Sequence, residues 1–301
     1  MDTTKTEINT AQGFNIDRDT LRLMRIPFSY FLMPVFLFAV SQVNNIDWIN
    51  AGICFLVLHL FIYPASNGYN SYMDQDETPI GGLENPPKPT KTLFYTSVLF
   101  DALGLSLSLW ISFPFFISIL IYILASRAYS YKGIRLKKMP IIGFLTVVFF
   151  QGAFTFFMVY SGISKTPVSL NNTLILALSA CSFLIAGVYP ITQVYQHEAD
   201  KASGDITISY KLGINGTFIF TGLMFFIANI LLYFYFTEIN KIQHFILFQI
   251  CLLPVIVYFI TWFLKVLKNK NEASFKNTMR MNFIASSCIN LCFILILILN
   301  R

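Results

Sequence analysis

The sequence predicts an all-α fold, a polytopic membrane bundle of nine transmembrane helices, and three observations carry the prediction. Hydrophobic residues make up 55% of the 301-residue chain and charged residues only 12%, a balance that a soluble domain of this size does not keep. The apolar residues fall into nine runs near the length that crosses a hydrocarbon core, at 27–43, 48–70, 93–112, 114–129, 140–160, 173–195, 216–237, 244–266 and 281–299. Lysine and arginine then collect on one side of that topology, 18 against 3.

The first run follows about 25 polar residues and has no small-residue cleavage site, so it reads as a span and not as a signal peptide. The chain therefore divides into an N-terminal segment over 1–26 and a single nine-helix domain over 27–301. The second run ends in a polar stretch from Ser66 to Lys91 that holds four carboxylates and four prolines. The third and fourth runs abut at Ser112-Phe113-Pro114, where the missing proline N–H and the restriction on the residue before it favour a tight turn. A basic patch, "SRAYSYKGIRLKKMP", joins the fourth run to the fifth. The sixth ends in a second acidic stretch.

The positive-inside rule makes the N-terminus and both acidic connections cytoplasmic. A net charge of +6 then marks a face beside anionic membrane lipid, and no basic run with interleaved aromatics argues for nucleic acid. All five cysteines lie inside predicted spans, where they read as small packing residues and not as a disulfide framework or zinc site.

Seven of the 15 acids lie in the two cytoplasmic connections: Asp74, Asp76, Glu77 and Glu84 after the second span, and Glu198, Asp200 and Asp205 after the sixth. Acid on the side otherwise rich in Lys and Arg needs a local reason. On a helix Asn67, Asn70 and Asp74 share one stripe, and Gln193, Gln196, Asp200 and Gly204 repeat the device at the end of the sixth span. Two helices would thus aim oxygen ligands at a common point, and hard oxygen ligands suit Mg²⁺ held between a few carboxylates and a substrate's phosphates. Intramembrane polar groups are costly without a partner or a cavity, which favours a site over a pair of solvated loops. In the basic patch, Arg127 and Arg135 are candidates to hold a diphosphate through bidentate guanidinium contacts. Asp101, within the third span, reads as a hydrogen-bond partner to another helix.

These residues resemble the UbiA-type intramembrane prenyltransferases. The resemblance runs over nearly the whole chain, through Asn70-Ser-Tyr-Met-Asp74-Gln-Asp76, the "NPPKP" that follows, "YS" with "IRLKK", and Gln196-His-Glu-Ala-Asp200-Lys-Ala-Ser-Gly204. It implies nine helices around a central cavity, in an integral multi-pass protein of a bacterial or archaeal cell membrane. It also implies transfer of a polyprenyl group from its diphosphate to a hydrophobic or amphipathic acceptor, such as an aromatic quinone precursor or another lipid or cofactor precursor, with Mg²⁺.

Carried onto this sequence, the resemblance assigns Asn70, Asp74, Asp76 and Asp200 to catalysis. Asp74, Asp76, Glu198, Asp200 and Asp205 would hold metal, and Asn67, Lys88, Arg127, Tyr129, Arg135 and Lys137 would bind the diphosphate. The chain departs from the family pattern at Ser71, Thr78 and Gln196, each where an aspartate is common, and at Lys88, where arginine is common. Two other readings are an ion-coupled transporter and a prenyl-lipid-binding scaffold without turnover. Acid clusters at helix ends and not at the bilayer midplane argue against the transporter.

Overall fold

The computed structural model describes residues 16–301. The part of the expected N-terminal segment before residue 16 lies outside the described residues. Nine long helices follow in order: α1 Arg18–Gln42, α2 Trp48–Asp74, α3 Lys91–Ser108, α4 Phe113–Ser130, α5 Pro140–Ile163, α6 Asn172–Ile191, α7 Ile208–Glu238, α8 Ile242–Lys268 and α9 Phe275–Leu299. Eight of them are long and apolar enough to cross a membrane, while α3, with Lys91 and Asp101 among its 18 residues, falls short on composition. No β-strand occurs among the described residues, only two isolated bridges.

Local chemistry sets the helix starts. Asp47, Ser112, Asn171, Thr207 and Ser274 each accept a backbone N–H at the start of α2, α4, α6, α7 and α9, satisfying donors that the helix itself leaves free. Each such cap stabilises its helix by about 1 kcal/mol. Ser112 and Pro114 begin α4 where the sequence predicts the turn between the third and fourth spans.

Four helices are irregular inside, and one of them, α7, is kinked at Gly213 (φ 67°, ψ 171°). In α1 the chain passes through a left-handed residue, Arg25 (φ 49°), into a tightly wound stretch from Ile26 to Leu32. In α2 and α5, π-wound segments at Leu56–Ile62 and Phe149–Phe154 precede regular turns. The α5 segment contains Gly152, where an added Cβ would lie 2.7 Å from the Ser182 Cα, so only glycine lets α5 approach α6 this closely.

One expectation fails. The sixth span was predicted to run to residue 195, with Gln193, Gln196, Asp200 and Gly204 on one continuous helical stripe, but α6 ends at Ile191. Pro190 has no N–H to give to the preceding turn, and the chain tightens through Thr192 N–H to Tyr189 O (3.2 Å) and Gln193 N–H to Pro190 O (3.1 Å). A separate short helix, His197–Ser203, then carries Asp200 and stops at Gly204 in the left-handed conformation (φ 71°).

The helices pack as neighbours around a common axis: α6 along α7, α8 against α9, α2 against α3, and α1 between α5 and α9. At the end away from the acidic connections, Phe38 of α1 stacks on Phe293 of α9 with 4.6 Å between ring centres and meets Phe156 of α5 at 5.0 Å. The Tyr235 hydroxyl donates to Gln42 Oε1 (3.0 Å) in the same layer, so that end is closed by packed rings. The opposite end, where α2, α4 and α6 finish, is left open.

Candidate active site at the acidic end of the bundle

A cavity of ≈ 330 Å³ opens at that end, walled by α1, α2, α4, α5, α6, α7 and α9 and by the connections after α2, α4 and α6. From α2, Asn67, Asn70 and Asp74 all line it, as expected for residues on one helical face, and Asp76 follows in the connection. Asp200 and Asp205 line it from the other connection, with Gln193 and Gln196. Gln196 Nε2 donates to Pro79 O (3.2 Å) and so ties the two acidic connections to each other.

The acids divide into two pairs with different surroundings. Asp74 and Asp205 are held by the loop after α4. Arg135 donates through Nε and Nη2 to the two oxygens of Asp205 (3.1 and 2.9 Å), and its Nη2 lies 3.5 Å from Asp74. Lys137 Nζ bridges the same two carboxylates, 2.6 Å from Asp74 and 3.1 Å from Asp205. Burial alone would raise the Asp205 carboxyl, but the Arg135 hydrogen bonds and the Lys137 charge outweigh it and hold Asp205 below the usual carboxylate range.

Asp76 and Asp200 have no such partner. Burial pushes Asp76 up to about 6, helped by the nearby Asp74 charge and opposed by Lys137 and Arg25. Burial likewise raises Asp200 to about 6, against the Thr207 hydroxyl that donates to it (3.0 Å) and the charge of Lys137. For both carboxyls burial outweighs the nearby positive charge.

Several polar atoms in the wall are also unsatisfied. Asn67 Nδ2 and Gln193 Oε1 are buried without a hydrogen-bond partner in the protein, so water or a bound ligand must complete them. Among the described residues no three acids, histidines or cysteines come close enough to hold a metal by themselves. Mg²⁺ takes one or two carboxylates and fills its shell with water and substrate phosphate. Asp76 and Asp200 fit such an ion.

Other expected site residues stand elsewhere. Arg127 lies outside the cavity, paired with Asp101 of α3 and set over the Tyr69 ring, 3.9 Å from its centre. Lys88 and Glu198 are exposed and do not line the cavity, and Arg135 reaches it only through Asp74 and Asp205. Tyr129 does line it, hydrogen-bonded to the Tyr189 hydroxyl, which also accepts from Gln193 Nε2 (3.0 Å). Of the positions where the chain departs from the family pattern, Ser71 is buried off the cavity and Thr78 is exposed, while Gln196 lines the wall.

Sequence reasoning missed Arg25. Only 8% exposed, it lines the cavity and donates to Gly81 O and Asn67 O (both 3.1 Å), with its Nε left without a partner. Its position just before Pro27 marked it only as one more positive charge at a helix end. The signal that sets it apart, a guanidinium folded back by a left-handed residue, is conformational.

The UbiA prenyltransferase family model matches residues 30–284, which takes in both acidic connections and most of the nine helices. The chain belongs to the UbiA prenyltransferase family. It is a prenyltransferase and an integral multi-pass membrane protein. No significant match to a curated protein sequence emerges.

Solved UbiA-family structures share the fold at low identity. A UbiA homologue from Archaeoglobus fulgidus bound to GPP and Mg²⁺ is 20% identical, with a TM-score of 0.68 over 93% of this chain and 99% of that one. A digeranylgeranylglyceryl phosphate synthase is 22% identical, with a TM-score of 0.61 over 93% of this chain and 98% of the other. The apo UbiA homologue from Aeropyrum pernix K1 is 14% identical, with a TM-score of 0.67 over 90% and 98%.

Proposed function

We propose that this UbiA-family protein transfers a polyprenyl group from its diphosphate to a hydrophobic or amphipathic acceptor inside the bilayer, with Mg²⁺ at Asp76 and Asp200. The observation that carries the reading is that these two carboxyls, neither in an ion pair and both raised by burial, line the mouth of one cavity from connections more than 120 residues apart. Mg²⁺ bound there supplies positive charge to the leaving diphosphate.

The chain's own residues do the rest. Arg25 and Lys137 lie at the same mouth and are placed to meet diphosphate oxygens, while Asn67 and Asn70 give amide donors from α2. Asn70 is oriented by its hydrogen bond to Ser130 Oγ (3.0 Å). Below the mouth the wall turns aromatic, with Phe28, Phe31, Tyr122, Phe150 and Tyr189, which excludes water and offers ring faces to a developing allylic cation. The C–O bond to diphosphate breaks with its electron pair leaving on the diphosphate. The acceptor's nucleophilic atom forms the new bond to carbon and gives its proton to the released diphosphate or to water.

The positive-inside bias supports a cytoplasmic side for the acidic end, from which a water-soluble diphosphate head can enter. The test is incubation of purified protein with Mg²⁺, a labelled polyprenyl diphosphate and a panel of quinone precursors, tetrapyrroles and glycerol phosphates. Labelled product with at least one acceptor is the expected result. Donor binding without diphosphate release across the whole panel would instead mark a scaffold without turnover.

A further inference from the structure

The short helix that carries Asp200 begins at His197, and the reading above gives His197 no part. The two residues are three apart on that helix and so share one side of it. Both reach the first turn of α7. Asp200 Oδ2 accepts from the hydroxyl of Thr207 (3.0 Å), the residue that caps α7 by accepting the Tyr210 N–H (3.2 Å). His197 Nε2 is hydrogen-bonded to Ser209 Oγ (2.8 Å), and its ring stands edge-on to Tyr210 with 5.8 Å between centres.

The hydrogen bonds continue beyond this turn. Ser209 Oγ is bonded to Thr217 Oγ1 (3.1 Å), and both residues are wholly buried. Thr217 lies past the kink at Gly213, with its hydroxyl 2.8 Å from Gly213 O and 3.1 Å from Ser209 O. A threonine has one hydroxyl proton. Given to a carbonyl, it leaves the Thr217 oxygen to accept from Ser209, and the Ser209 oxygen to accept from His197 Nε2–H. The bonds thus run in one direction, from the imidazole to the backbone at the kink. Gly213 holds a conformation that L side chains rarely adopt, although an added Cβ would meet nothing within 4 Å, so glycine serves there for its backbone and not for space.

We propose that His197 is a positioning residue for Asp200, holding the short helix at a fixed rotation through Ser209 and Thr217 so that the carboxylate stays turned to the cavity mouth. This rests on the reading of Asp200 as a Mg²⁺ ligand and adds what aims it. An anchor at Asp200 alone would let so short a helix swivel about the Thr207 bond. A second anchor three residues away removes that freedom. Buried hydroxyls are costly unless bonded, and bonded in series they fix direction in a way that apolar packing does not.

The test separates aim from stability. His197→Gln keeps an N–H at about the reach of Nε2, His197→Asn stops short of Ser209, and Ser209→Ala removes the next link. The Mg²⁺ concentration that half-saturates geranyl diphosphate binding is measured for the wild type and the three variants, beside the thermal unfolding midpoint without Mg²⁺. His197 is only half-buried, so its two variants keep the comparison readable where Ser209→Ala fails to fold.

His197→Asn and Ser209→Ala are expected to raise the Mg²⁺ requirement roughly tenfold and His197→Gln by less than about threefold, with the two His197 variants unfolding at the same midpoint. A lowered midpoint with an unchanged Mg²⁺ requirement marks a merely structural role and overturns the proposal. A His197→Gln requirement as high as that of His197→Asn overturns it too. Wild-type binding of the diphosphate that is equal with and without Mg²⁺ removes the metal reading of Asp200 itself, a separate outcome.

Discussion

Asp76 and Asp200 are costly residues in the protein without metal. Because burial holds both near 6, above an aspartate's ordinary 3.8, their ionisation at pH 7 disfavours the folded state. The sign follows: the cost is full above the folded value, shrinks as pH falls through about 6, and is absent below the unfolded value. Asp76→Asn is therefore expected to raise the thermal unfolding midpoint in metal-free detergent at pH 7.5, with the gain fading by pH 4, while reducing Mg²⁺-dependent turnover by about 100-fold or more. A midpoint shift independent of pH would contradict the assignment of the cost to ionisation. Protons also compete with the ion, so apparent Mg²⁺ affinity should fall roughly tenfold per pH unit below 6 for each carboxyl that must be deprotonated, measured by titration calorimetry at a series of pH values. Arg25→Ala should raise the donor KM more than it lowers kcat, because Arg25 meets the diphosphate before and after bond cleavage alike.

Among the elements, α2 and α4 decide how well the site is held. Asn70 to Ser130 and Ser66 to Ser126 are direct hydrogen bonds between them, at 3.0 and 2.9 Å, and both pairs line the cavity. Arg127 serves α4 differently from what its charge suggests, since it pairs with Asp101 inside the bundle and away from the cavity. Arg127→Met should therefore leave donor KM nearly unchanged while destabilising the fold by about 3 kcal/mol, because it strands a buried carboxylate. Pairing it with Asp101→Leu should restore most of that loss in thermal unfolding. A raised donor KM in the double variant would return Arg127 to the diphosphate. At the contact of α5 with α6, Gly152→Ala should lower stability by about 1–3 kcal/mol, since its Cβ would meet Ser182 backbone and not a side chain that can turn away.

For the whole molecule, most of the fold was legible because the membrane imposes length and polarity on every span. The nine runs correspond to nine helices, with α3 weakened as an apolar span by the same Asp101 that pairs with Arg127. The stripe on α2 was legible for the same reason, since helical periodicity places Asn67, Asn70 and Asp74 on one face. The second stripe was not, because Pro190 ends α6 and the chain reaches Asp200 through a turn that periodicity does not describe. Charge sign alone also misplaced the cations: Arg127 and Lys88 look like phosphate ligands in sequence, while Arg25, which lines the cavity, looks like a flanking charge. Which cations reach a site depends on side-chain direction and pairing, and neither is written in spacing.

Both acidic connections must act on one ligand if the account is right. Equilibrium binding of labelled geranyl diphosphate to purified protein, with and without Mg²⁺, for the wild type, Asp76→Asn and Asp200→Asn tests this most directly. The account predicts Mg²⁺-dependent binding that either single substitution abolishes or weakens by about tenfold or more. Full Mg²⁺-dependent binding retained in either variant would contradict it.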